Sequence, residues 1–157
     1  MNDSRINSQS TSDREIAITR VFNAPRDLVF KVWTDPKHIA HWWGPKGFTN
    51  TIEKMDVRPG GVWQFVMHGP DGVNYPNKVV YLEVKKPERL VYNHGEEGKP
   101  NFFQVTVTFE DQGNKTKLSM QMLFSTAEER NDVAEKYGAV EGLKQNMDRL
   151  ADYLAKT

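Results

Sequence analysis

The chain has no cysteine. That excludes disulfide staples, thiol nucleophiles and thiolate metal sites, and it is compatible with a reducing compartment. Charge of one sign is lacking too, because 21 Lys and Arg balance 21 Asp and Glu. A chain without net charge has no general field to gather nucleic acid or an anionic membrane surface, so neither is expected as a partner. No apolar run approaches the roughly 20 residues that cross a bilayer. Met1 to Arg14 is polar and lacks the apolar stretch of a secretion signal. Residues 1–14 therefore read as a flexible lead-in, and the cytoplasm is the expected location. G-x-S-x-G, P-loop and dinucleotide fingerprints are all missing, and no cofactor is expected.

What is present fits a single domain over residues 15–157, long enough for one core. Glu15 to Phe22 is rich in Ile, Val, Thr and Phe and reads as a strand. Pro25 then suits the first turn of a helix, where a missing amide goes unnoticed. Leu28, Val29, Val32 and Trp33 follow at helical spacing. Asp35-Pro36 repeats the device for a second short helix carrying Ile39, Trp42 and Trp43, and Gly44-Pro45 ends it.

From Phe48 onward the period changes to two. Trp63, Phe65 and Met67 alternate with polar neighbours, and Gly69-Pro70-Asp71-Gly72 supplies a turn. Val80, Leu82 and Val84 are expected on one face of the next strand. Leu90, Tyr92 and His94 alternate in turn, then Phe103, Val105, Val107 and Phe109, then Leu118, Met120, Met122 and Phe124. Such one-sided alternation belongs to an antiparallel sheet with one buried face. The last segment is a long helix. Thr126 and Glu129 have capping-box spacing, and Val140, Leu143, Met147, Leu150 and Leu154 form one apolar stripe. Gly138 and Gly142 interrupt it at a cost of about 1 kcal/mol each, which predicts a close approach to the sheet or a local break.

The expected class is α+β: a curved antiparallel sheet of six to seven strands wrapped around the C-terminal helix, with two short helices after the first strand. A helix roughly 10 Å wide does not fill the whole concave face. The remaining space is either packed by side chains or left as a pocket for a small hydrophobic molecule. If a pocket, the expected lining is Trp63, Phe65, Met67, Tyr92, Val105, Met120, Tyr137 and Met147, with Trp42 or Trp43 near the mouth and Tyr92, His94 and Tyr137 as polar tips. The opposite reading is that these aromatic and methionine side chains are simply core.

Chemistry beyond binding has thin support. His38 and His41 stand three apart on a short helix, but no third ligand lies at motif distance, so no metal site is expected. His94 and Glu141 are the first acid–base candidates, without a catalytic dyad around them. Asp56 and Arg58 precede Pro59-Gly60-Gly61 and read as a turn-locking pair. Exposed sheet edges leave a homodimer open.

Several stretches resemble a known family: Ile18 to Pro25 (ITRVFNAP), Val32 to Pro36 (VWTDP), His41 to Asn50 (HWWGPKGFTN) and Asp56 to Phe65 (DVRPGGVWQF). GPDGVNY, PERLVY, VTVTFED and TKLSM continue the match in order, from about Glu15 to the end. They are similar to the activator of heat shock protein 90 ATPase-like branch of the START-related SRPBCC, or helix-grip, domains. The resemblance implies a helix-grip fold and binding of lipids, sterols, polyketides or other hydrophobic molecules between long helix and sheet. Some relatives are cyclases or hydrolases. The family's eponymous co-chaperone has a further N-terminal domain without counterpart here, so a chaperone partner is an open alternative that no residue supports.

Overall fold

The computed structural model describes residues 6–7, 13–96, 99–136 and 138–157. Its elements run β1 (Ile6–Asn7), β2 (Glu15–Phe22), α1 (Arg26–Thr34), α2 (Pro36–Ile39), β3 (Thr49–Met55), β4 (Val62–His68), β5 (Asn74–Lys85), β6 (Arg89–Glu96), β7 (Lys99–Gln112), β8 (Lys115–Phe124), α3 (Ala127–Lys136) and α4 (Ala139–Ala155). One eight-stranded sheet has the order β1-β2-β8-β7-β6-β5-β4-β3, with every neighbouring pair antiparallel. Pairing β2 with β8 brings the two ends of the domain together. The two-residue β1, inside the segment 1–14 expected to be a lead-in, is an edge strand; it pairs Ile6 with Ile18 and Asn7 with Ala17.

Alternation decides which face is buried. Ile16, Ile18 and Phe22 of β2, Trp63 and Phe65 of β4, Val105, Val107 and Phe109 of β7, and Leu118, Met120 and Phe124 of β8 all point to one core. The stripe Leu143, Met147, Leu150 and Leu154 of α4 joins the same core, so the helix lies against the buried face of the sheet. This is the helix-grip arrangement.

Three local expectations are corrected. In β5 the core residues are Val79 and Tyr81, while Leu82 is 44% exposed. A bulge follows: Tyr81 pairs with Tyr92 and Glu83 with Val91, leaving Leu82 as the extra residue. Beyond it Val84 returns toward the core. The second correction concerns α2, which ends at Ile39, so Trp42 and Trp43 stand in the following turn. The third concerns the C-terminal helix, which is two helices. Thr126 Oγ1 caps α3 by accepting from Glu129 N at 3.0 Å, and the chain restarts at Gly138 with φ +59°, a left-handed conformation that suits glycine. The other interrupting glycine, Gly142, instead allows a close approach: a Cβ there would stand 3.4 Å from Pro45 Cγ.

Two devices hold the site's frame. Asp56 and Arg58 do pair across the β3–β4 turn, Nε to Oδ2 at 2.7 Å, but the pair is exposed and worth at most about 1 kcal/mol. Gly61 matters more. Its N–H donates to Arg58 O and its carbonyl accepts from Tyr81 N, and an added Cβ would sit 2.0 Å from the Asp56 carbonyl oxygen. The second device is Arg149 on α4. Its Nη1 donates to the carbonyls of Trp43, Gly44 and Pro45, each at 3.0 Å, and its Nη2 donates to His41 O at 3.2 Å. Gln145 and Asn146 add bonds to Lys46 N and Gly44 N, and Asn50 Nδ2 donates to Trp43 O. The Trp42–Lys46 turn is thereby riveted to the helix.

Gly61→Ala is expected to destabilise the fold by about 2–3 kcal/mol, the cost of overpacking against backbone, read as a lowered denaturation midpoint at unchanged slope. Arg149→Leu leaves the turn carbonyls without a charged donor and is expected to cost about 2–3 kcal/mol. Arg149→Lys should recover only part of it, because an ammonium lacks the planar fork that serves several carbonyls at once. Equal stability of Arg149→Leu and the parent protein would show that the rivet contributes nothing.

Candidate functional site

The concave face is filled unevenly. At one end the four tryptophans form a continuous cluster: Trp33 meets Trp42 at 5.0 Å and Trp43 at 5.9 Å, and Trp43 meets Trp63 at 5.0 Å, all edge-to-face. Trp63 stacks on Phe65 at 4.2 Å. Edge-to-face pairs are worth about 0.5–1.5 kcal/mol each beyond area burial, so this half is solid. Trp42 is tied further by Nε1–H donating to Val32 O at 3.2 Å.

Space remains at the other end, where α4 begins. A pocket of about 170 Å³ lies between the start of α4, the Trp43–Pro45 turn and strands β4, β6, β7 and β8. Gly138, Ala139 and Gly142 form its helical wall and carry almost no side chain, which is why the helix does not fill the sheet there. Leu143 and Asn146 continue that wall one turn on, and Met67, His94, Phe103, Val105, Met120 and Met122 form the sheet side.

Of the residues singled out from sequence, Trp43, Met67, His94, Val105 and Met120 stand in this wall. Trp42, Trp63, Phe65, Tyr92 and Met147 stand outside it. All of these are at most 1% exposed, because the tryptophan cluster and the apolar stripe of α4 close over them. Tyr137 lies outside the described residues. Phe103 and Met122, of the aromatic and methionine set, line it too, whereas no pattern in the sequence singles out Gly44, Pro45, Gly138, Ala139, Gly142, Leu143 or Asn146 as lining. Asn146 did carry a signal of burial: it is a polar residue three after Leu143 and four before Leu150, within the apolar stripe, and only 6% exposed.

Burial sets the electrostatics. His94 is packed among Phe65, Tyr92 and Phe103, with the Phe103 ring 5.0 Å away, and burial pulls its pKa down to about 4. Its ring is neutral at pH 7. Tyr92 and Tyr81 are pushed above the usual phenol range, chiefly by burial. Among the described residues the Tyr92 hydroxyl has no partner in hydrogen-bond geometry; the Trp33 indole acts on it in the opposite sense to burial but falls short of that geometry. Burial also lowers Arg149.

Other candidates resolve into structure. Glu141 is exposed and outside the pocket wall. His38 Nδ1 bonds Tyr153 Oη at 2.6 Å and His41 stacks on the same ring, so both histidines dock the α2 region onto α4. Among the described residues no group of three or more His, Asp or Glu could hold a metal ion, and no helix is long and apolar enough to cross a membrane. A chain Thr51–His68–Asn74, linked at 2.7 Å on each side of the imidazole, has the connectivity of a nucleophile, base and orienting group. It is exposed on the sheet surface, where water competes for every member.

Comparison with known proteins agrees with this architecture. The protein of Arthrobacter aurescens solved by NMR has a TM-score of 0.88 and 21% identity, over 99% of this chain and 94% of that one. A crystal structure from Mycobacterium smegmatis gives 0.86 and 23%, over 97% of each chain. One from Nitrosomonas europaea gives 0.82 and 23%, over 94% and 97%. At these identities the likeness shows the fold. No curated protein matches the chain. The family described as "Activator of Hsp90 ATPase homolog 1-like protein" matches residues 23–155, which hold strands β3 to β8 and all four helices, and the chain belongs to that family.

Proposed function

We propose that this protein binds a small hydrophobic molecule in the pocket at the start of α4. The observation that carries the reading is the apolar wall itself, Trp43, Met67, Phe103, Val105, Met120, Met122 and Leu143, around about 170 Å³ of space. Apolar space of about 150 Å³ in a protein interior is enough to take up benzene. Drug-sized ligands call for pockets of about 300–1,000 Å³. The occupant is therefore of single-ring or short-chain size, and a sterol or polyketide would require the wall to move. Burial of its surface supplies the affinity, at roughly 25 cal/mol per Å² of apolar area removed from water. Methionines on the sheet side adapt the wall to different shapes. A cytoplasmic setting fits this role.

Catalysis is the weaker reading. His94 is the ionisable side chain among the described lining residues. With a pKa near 4, it is a feeble base at neutral pH, and among the described residues no carboxylate lines the pocket beside it. A chaperone partner has less in its favour: the large exposed apolar residues are Val73, Tyr75 and Leu82, and Tyr75 rests partly on Phe48.

Toluene titrated into the protein is expected to shift the side-chain NMR signals of Trp43, Met67, Met120 and Met122 saturably. Ala139→Phe, which pushes a ring into the pocket, should abolish those shifts while the fold persists. A wild-type spectrum indifferent to toluene would refute the reading. A pH experiment checks the environment of His94. The unfolded imidazole titrates near pH 6.5 and the folded one near 4, so acid favours the unfolded chain. The contribution of this group is complete above about pH 6.5, falls as pH drops toward 4, and amounts to at most about 3 kcal/mol. Denaturant unfolding at pH 7 and pH 4.5 should show a smaller loss for His94→Phe than for the parent protein.

A further inference from the structure

The apolar wall contains two polar groups whose free atoms are fixed by bonds behind them. Asn77 Nδ2 donates to Tyr75 O at 2.8 Å, which fixes the amide and turns Oδ1 to His94 Nε2, also at 2.8 Å. An amide oxygen only accepts, so Nε2 carries the proton of the neutral ring and Nδ1 keeps a bare lone pair. No described residue bonds that Nδ1. Asn146 is held in a similar way: its Oδ1 accepts from Gly44 N at 3.2 Å, which leaves its Nδ2 donor unpartnered among the described residues. Both side chains line the pocket, and Asn146 is only 6% exposed. The pocket thus offers one acceptor and one donor in a surface that is otherwise carbon and sulfur.

Resting on the binding reading above, we infer that the ligand is a neutral, hydroxyl-bearing small molecule, of which a phenol is the simplest, its O–H donating to His94 Nδ1 and an oxygen accepting from Asn146 Nδ2. A hydroxyl has both a donor and acceptor lone pairs, so this one functional group complements both polar atoms. A plain hydrocarbon leaves both unmatched, at the cost of an unmade buried hydrogen bond. A carboxylate fares worse. Its oxygens only accept, so they meet the lone pair of Nδ1, and no lysine or arginine lines the pocket among the described residues. Arg149, on the same helix, already serves the carbonyls of His41, Trp43, Gly44 and Pro45. Burial also opposes charging the imidazole to receive an anion.

The test is a set of titrations at pH 7 of near-isosteric probes: toluene, phenol and benzoate, followed by calorimetry or by the NMR signals of the pocket methionines. Phenol is expected to bind about five- to tenfold more tightly than toluene, the worth of a good hydrogen bond, and benzoate more weakly than either. His94→Phe should erase the preference for phenol over toluene; Asn146→Leu should reduce it in the same direction. If His94→Phe does not fold, His94→Met is read in its place. Toluene binding with no preference for phenol, or a preference that survives loss of His94, overturns this inference and leaves the binding reading intact. Failure of all three probes to bind overturns the binding reading as well.

Discussion

The constraint on which the site depends is the mismatch between a bent sheet and what lies on it. The buried face of the sheet has to be covered by α1, by α4 and by the turn after α2. One end is covered by bulk, because Trp33, Trp42, Trp43 and Trp63 interlock edge-to-face and leave no room between them. At the other end Gly138 and, in α4, Ala139 and Gly142 face the sheet, and among the described residues no side chain replaces the missing volume. Interiors are normally filled to crystal-like density, and unfilled space forfeits dispersion contacts on every side. A helix start that turns Gly138, Ala139 and Gly142 toward a sheet of methionine and phenylalanine keeps that loss in place. It is the arrangement expected where an occupant restores the contacts.

The turn over the pocket obeys the same logic from the opposite direction. Trp43, Gly44 and Pro45 contribute both to the pocket wall and to the set of carbonyls gathered by Arg149. The wall is therefore a rigid strip, fixed from α4 by Arg149 and Asn146 and from β3 by Asn50. Gly142 faces Pro45 of that strip across the pocket's edge. A site assembled this way takes its shape before any ligand arrives, and pre-organisation of that kind lowers the ordering cost of binding.

Most of the fold was legible in the sequence. Period-two alternation in β4, β6, β7 and β8 named the buried face correctly, since the large apolar side chains of those strands are concentrated on one parity, with Val66, Val91 and Leu123 among the exceptions. β5 defeated it for a physical reason. Val79, Val80, Tyr81 and Leu82 are apolar on both parities, so the pattern carries no register. The choice falls to a contact distant in sequence: Gly60 N donates to Tyr81 O, and Tyr81 N donates to Gly61 O. The glycines of the C-terminal segment announced trouble but not which kind, and they resolve into different answers, a break at Gly138 and a close approach at Gly142. For the pocket, sequence indicates which side chains face inward but not which inward-facing ones are covered. Trp63, Phe65 and Tyr92 share a face with Met67 and His94; only position along the sheet, under the tryptophans or beyond them, separates the two sets.

That separation also explains the differing states of two polar groups on one strand. Tyr92 and His94 are neighbours on the same face of β6, both strongly desolvated. Tyr92 lies under solid packing and its hydroxyl is orphaned, a cost of about 1–3 kcal/mol that the aromatic cluster around it has to offset. His94 lies one step along, where packing gives way to space, and its free nitrogen borders a pocket that another molecule can enter. An orphaned group in a packed core is a fixed loss. The same group at the wall of a pocket is a loss that binding can remove, so the unsatisfied polar atoms of this protein mark where its structure is finished and where it is not.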